Sequence, residues 1–256
     1  MRVQILGAHN CESLNSRCAG LLVDDVLAID GGGLTSSLSL ELQLKLVSVL
    51  LTHKHYDHVK DIPALAMNFF LAGGSIDIYA TSYTTDAVLS HLLDGELYPD
   101  FRKEPPDRPA VKFNELEPGN TVIIDSYAVL PVPVAHSVPA VGYQIASQDG
   151  KVLFYTGDTG PGLADCWQYI SPQLLVIEVT APDRFEEFGW QSGHLTPNLL
   201  KEELLSFQAL KGYLPRVVLV HMTPALEKEI AGEIATVARD LNSPITLASE
   251  GMRFEL

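Results

Sequence analysis

Residues 50–60 read LLTHKHYDHVK, placing three of the chain's eight histidines within six positions. The stretch LVSVLLT at 46–52, just before them, has the length and the Val/Leu content of a buried strand. His53 then stands where the chain leaves a sheet. Alternation along an extended backbone directs His53, His55 and Asp57 to one side, with His58 approaching from the start of a helix. Imidazole and carboxylate together suit zinc or a similar divalent ion. Four such groups in six residues crowd a single ion, but they can supply half-shells for two.

The remaining ligands for two ions come from matching places. His136 ends YAVLPVPVAH, Asp158 ends VLFYTGD and His221 ends VVLVH. Each is a metal-capable residue at the carboxyl end of an apolar run, where open α/β sheets present their binding groups.

Composition narrows the classes of partner. A net charge of -15 repels phosphate backbones over most of the surface, which argues against extended nucleic-acid binding and leaves a small anionic substrate at a locally cationic metal site. Cys11, Cys18 and Cys166 have no CxxC spacing, which argues against a disulfide framework and a cysteine zinc knuckle. With no long apolar run and no leader-like start, the expectation is a cytoplasmic protein with no membrane segment.

About a dozen short Val/Ile/Leu-rich segments read as strands, from RVQIL near the start to short candidates at 245–248 and 252–255. Helical patterns cover Ile62 to Phe70, Thr84 to Leu93, Pro197 to Phe207 and Ala225 to Leu241. Thr196 is the expected cap of the third and Pro197 its first residue. Without a linker or composition shift, residues 1–256 are expected to form one domain, an α/β arrangement of two face-to-face sheets with helices outside.

THKHYDH resembles the T-H-x-H-x-D-H signature of the metallo-β-lactamase superfamily, and His136, TGDT around Asp158 and His221 follow in that family's order. The resemblance implies a four-layer αββα sandwich of two mixed sheets, with the site along one edge. It implies that His53, His55 and His136 hold one ion, that Asp57, His58 and His221 hold a second, and that Asp158 bridges them. HSVPAVGYQI, SGHLTPNLL and HMTP further resemble the branch containing ribonuclease Z and the class II cyclic-nucleotide phosphodiesterases. In that branch a histidine that is not a ligand binds phosphate and donates a proton, a role that falls here to His194.

The function so implied is a phosphodiesterase acting on a small (cyclic) nucleotide or similar diester through a hydroxide bridging two divalent ions. Zinc, manganese and iron all fit a nitrogen and oxygen site. Asp57 and His194 are the catalytic candidates, and the branch also contains homodimers. Some features depart from the pattern: the first loop, LGAHNCESLNSRCAG, lacks the usual glycine-rich turn, Tyr56 stands where class II enzymes have leucine, and no basic, glycine-rich arm lies between Asp158 and His194. Ribonuclease Z-like RNA processing therefore ranks behind a small diester. Thioester or lactone hydrolysis and a non-catalytic metal-binding role remain alternatives, the last disfavoured because a structural site closes with four ligands and needs no second ion.

The other candidates carry less chemistry. His9 and Asn10, Ser13 and Ser16 belong to the first loop, His91 to a helix surface, and Phe69, Phe70, Tyr98 and Phe101 are candidates for a lid or for core.

Overall fold

A computed structural model describes all residues, Met1–Leu256. One sheet orders β14 (Arg253–Glu255), β1 (Arg2–Gly7), β2 (Gly20–Val23), β3 (Leu27–Ile29), β4 (Ser48–Leu50), β5 (Ile76–Ala80) and β6 (Val111–Glu115). The other orders β13 (Ile245–Leu247), β12 (Arg216–Val220), β11 (Leu174–Glu178), β10 (Val152–Tyr155), β9 (Ala140–Ser147), β8 (Tyr127–Val134) and β7 (Val122–Ile124). The helices are α1 (Leu34–Ser37), α2 (Leu40–Gln43), α3 (Tyr56–Val59), α4 (Ile62–Leu71), α5 (Ser82–His91), α6 (Ala164–Tyr169), α7 (Glu186–Ser192), α8 (Pro197–Lys211) and α9 (Glu227–Asp240).

The near-continuous apolar strands follow from burial on both faces. In β2, Leu21 and Val23 enter the core between the sheets while Leu22 packs under helices; in β12, Val218 and Val220 face inward while Val217 and Leu219 meet the opposite helical layer. Residues of α1, α4 and α5, including Leu34, Ile62, Phe69 and Val88, cover the first sheet. Trp167 of α6, Phe207 of α8 and Ile230 of α9 cover the second. The four-layer αββα sandwich of two mixed sheets is therefore the observed architecture. No helix is long and apolar enough to cross a membrane.

Several sequence expectations need correction. The strand before the histidine cluster is only Ser48–Leu50, and Asp57 is a helical residue of α3, with His55 at its N-cap. Asp57 therefore reaches the cluster by helical turn and not by strand alternation. Thr196 precedes α8 but gives it no side-chain cap, and its buried hydroxyl has no partner. The fourth helical pattern begins as a 3-10 turn, Pro224–Leu226, before α9. Strand β6, within VKFNE, and the short helices α6 and α7 lie outside the sequence expectation because their apolar periodicity is weak. Phe69 and Phe101 are buried core residues, with Phe70 and Tyr98 packed on Phe101, so this group forms no lid.

One close approach places the loop that carries His55, Asp57 and His58. The Gly31 amide donates to His58 O and the Asp61 amide to Gly31 O, tying the turn after β3 to α3. A Cβ on Gly32 would lie 1.8 Å from Asp57 O and 2.6 Å from Ala19 O, so no side chain fits without moving Asp57. Gly32→Ala is expected to lower the unfolding free energy by about 1–3 kcal/mol in urea titrations, the usual cost of overpacking. Gly232→Ala, in α9 with nothing within 4 Å of its Cβ position, is expected to raise it by roughly 0.5–1 kcal/mol through helix propensity.

Candidate metal centre

Strand direction brings the polar residues to one edge. In one sheet β3 and β4 are parallel; in the other β10, β11 and β12 are parallel, and β8 runs with them because both β8 and β10 pair antiparallel to β9. Their carboxyl ends release Asp30 and His53 from the first sheet, and His136, Asp158, Glu178 and His221 from the second. Asp30 and His221 adopt left-handed backbone, with φ of 60° and 65°, a costly conformation for residues other than glycine that clusters at functional sites.

Three groups of candidate ligand atoms result, each with its members within 4.8 Å of one another: besides Glu178, His194 and His221, there are two that share a carboxylate. One comprises His53, His55, His136 and Asp158, the other Asp57, His58, Asp158 and His221. Asp158 belongs to both. Its carboxylate lies 3.0 Å from His58 Nε2, 3.3 Å from His221 Nε2, 3.6 Å from His53 Nε2 and 3.9 Å from His136 Nε2. His221 Nε2 lies 3.2 Å from Asp57 Oδ2. All seven metal-ligand candidates from the sequence thus converge, and His194 lies beside them, its ring stacked on His221 at 5.3 Å between centroids.

The outer nitrogens are held by a shell that the sequence did not single out. His58 Nδ1 lies 2.7 Å from Asp30 Oδ2, His53 Nδ1 lies 3.0 Å from Thr52 Oγ1, and His136 Nδ1 lies 2.8 Å from Gly193 O. Asp30 also accepts from Thr52 and from the Tyr155 hydroxyl. On the other side Glu178 accepts from Thr180 Oγ1 at 2.7 Å and lies 2.6 Å from His194 Nδ1, while Thr180 Oγ1 meets His221 Nδ1 at 2.8 Å. Such contacts orient imidazoles and direct the opposite nitrogen inward. The available sequence signals were an aspartate closing VLAID ahead of three glycines and a lone charge inside LLVIEVT. Gly193 is itself required: at φ 74° a Cβ there would sit 2.8 Å from Ser137 N and 2.9 Å from His136 Cα.

The donor set fits divalent cations. His53 Nε2, His58 Nε2 and Asp158 Oδ1 are buried without a hydrogen-bond partner, because the 3.0 Å His58–Asp158 contact is not aligned as a hydrogen bond. Buried polar atoms in that state are costly unless something else satisfies them. Burial holds His53 well below the ordinary imidazole range, and burial with neighbouring histidines lowers His55 and His136, so these three present neutral nitrogens at neutral pH, the form that binds metal. At His58 burial opposes charge, but Asp158 and Asp30 outweigh it and push the ring well above its usual value. There a proton stands in for positive charge that an ion would supply. Burial raises and neighbouring imidazoles lower both carboxyls, leaving Asp57 below and Asp158 well below the usual range.

Other sequence candidates sort by position. Asn10 lines a cavity with His194, and the exposed His91 lines a smaller one with His55 and Lys54, so His91 is nearer the cluster than a bland surface histidine. His9 is buried with Nδ1 2.6 Å from Glu250, fastening the first loop to the C-terminal segment. Ser13 and Ser16 bond to each other.

Comparison with known proteins agrees with this architecture. Ribonuclease Z from Pyrococcus abyssi (strain GE5 / Orsay) is 27% identical over 113 residues, 43% of this chain and 34% of that protein. The chain thus spans about a third of the length of the curated relative it matches. Unliganded yeast PDE1 superposes with a TM-score of 0.84 at 16% identity, covering 100% of this chain and 99% of that one. YhfI from Bacillus subtilis gives 0.77 at 19% over 100% and 99%, and the human short-form tRNase Z 0.72 at 19% over the same shares. At these identities the likeness is one of fold. The model of the beta-lactamase superfamily domain matches residues 33–222, which take in every ligand candidate, and the chain belongs to that superfamily.

Proposed function

We propose that the protein is a binuclear metal-dependent phosphodiesterase for small diesters. The observation that carries this is the pair of His/Asp groups sharing Asp158, with a charge-paired His194 at their side. His53, His55 and His136 would hold one ion, Asp57, His58 and His221 the other, and Asp158 both; zinc, manganese or iron suits the donors. Two divalent ions in such a site supply Lewis acidity toward phosphoryl oxygens and make water a nucleophile near neutral pH.

The chain's own groups divide the proton work. The Asp57 side chain is 26% exposed against 3% for Asp158, so Asp57 is the carboxylate open to a reacting water. Ionised and oriented by His221, it accepts the proton as the water oxygen bonds to phosphorus. His194 works at the other end. Burial would lower its pKa, but the Glu178 charge and hydrogen bond raise it to about 9, so the ring is cationic at neutral pH. With Nδ1–H given to Glu178, Nε2–H is free to protonate the leaving oxygen as the P–O bond breaks and its electron pair passes to that oxygen. A donor of this kind suits a basic leaving oxygen, alkoxide or unactivated phenoxide, and distinguishes a diester site from one for thioesters. The charge of -15 favours a small substrate over RNA.

Metal-loaded protein is expected to hydrolyse bis(p-nitrophenyl) phosphate; turnover of a thioester panel with none of this diester would contradict the proposal. On a diester with a basic leaving oxygen, which departs only when protonated, His194→Ala should lower kcat by about 100-fold, at the low end for loss of a general acid, while metal content measured by emission spectroscopy stays at the wild-type level. Loss of metal in that variant would refute its assigned role. Because the acid form of His194 is lost as pH rises, kcat/KM for such a diester should fall on the alkaline side in the wild type, and this limb should be absent in His194→Ala. The same sign governs stability: the raised pKa means that the Glu178 pair stabilises the fold fully below the ordinary histidine pKa and ceases to do so as pH passes about 9.

A further inference from the structure

Next to His194 lies a cavity of about 470 Å³, within the roughly 300–1,000 Å³ of small-molecule sites. Its walls include Phe185, Phe188 and Leu226, with the Asn10 amide and the Thr223 hydroxyl as polar points, and no lysine, arginine, aspartate or glutamate lines it. His194 is the one charged wall, so the space beyond its ring suits an uncharged group.

The cavity and the proton donor are built on one segment. The helix α7, which carries Phe188, ends at Gly193, whose left-handed conformation turns the chain straight into His194. The His194 amide donates to Gly189 O at 2.9 Å, and a Cβ on Gly189 would come within 3.0 Å of His194 O, so the helix sits directly on the histidine backbone. Phe185 is pinned on one face by the Arg184 guanidinium, 4.2 Å from its ring centre. Phe188 is 56% exposed, its ring largely open to solvent at the cavity wall. Asn10 Nδ2 donates to Thr223 Oγ1 at 2.8 Å, which fixes the amide.

Resting on the phosphodiesterase proposal, we infer that this cavity is the leaving-group subsite and that Phe185 and Phe188 select diesters whose leaving oxygen carries a flat, uncharged aromatic group. The geometry of proton transfer gives the direction. An oxygen that takes its proton from His194 must adjoin that ring, and the cavity that the ring lines offers space for the group bonded to this oxygen. Aromatic faces and edges are complementary at such walls, adding to the burial of ring area.

The test compares diphenyl phosphate with dimethyl phosphate as competitive inhibitors of bis(p-nitrophenyl) phosphate hydrolysis by metal-loaded protein. The two share the phosphodiester charge and differ in the ring. In the wild type, Ki for diphenyl phosphate should be about tenfold or more below that for dimethyl phosphate, of the order expected for one stacked and buried ring. Phe188→Ala, at an exposed position that the fold does not need, and Phe185→Ala should each reduce that ratio to within about threefold, by raising only the diphenyl value. Equal Ki values in the wild type, or an unchanged ratio in both variants, would overturn the subsite while leaving the phosphodiesterase standing. No hydrolysis of bis(p-nitrophenyl) phosphate by the wild type would overturn the phosphodiesterase proposal itself, and the subsite with it.

Discussion

A buried carboxylate ringed by imidazoles is the constraint around which the molecule is arranged. Asp158 has lost nearly all its water, and four histidine nitrogens come within 4 Å of it, yet one of its oxygens and two of those nitrogens make no hydrogen bond. In a low-dielectric interior such an arrangement is destabilising by itself. Cations at the centre would satisfy the unpaired nitrogens and the carboxylate together. The rest of the edge is consistent with that demand: Asp30 and Glu178, both fully buried, stand behind the ligands and hold the outer nitrogens through Thr52 and Thr180.

The fold meets the demand by topology. A sandwich in which β3, β4, β8, β10, β11 and β12 end along one edge converts separate strand ends into one cluster, while apolar packing on both faces of each sheet fixes the register. Backbone strain is concentrated there as well, in the left-handed Asp30 and His221. The glycines that permit close approach, Gly32 behind Asp57 and Gly193 behind His136, serve the same edge.

Much of this was legible in the sequence where the information was local. LLTHKHYDHVK announces a metal site by density alone, and His136, Asp158 and His221 could be added because each closes an apolar strand. Extended alternation failed at Asp57 because the chain turns into α3 at His55, a change of period that four residues cannot display. Asp30 and Glu178 were not singled out because their partners are remote: Tyr155 is 125 positions from Asp30, and His194 is 16 from Glu178 across an intervening helix. The Phe185 and Phe188 wall carries no local signal, because EEFGWQS is too short and too weakly periodic to read as a helix, and Phe185 before it and Phe188 within it acquire meaning only beside His194.

Two ions held by one chain are the central claim, and metal stoichiometry tests it most directly. Protein loaded with zinc, dialysed against buffer and analysed by atomic emission should retain two ions per chain. One ion per chain, or none, would contradict the shared role of Asp158 and the division of the seven ligand residues into two half-shells.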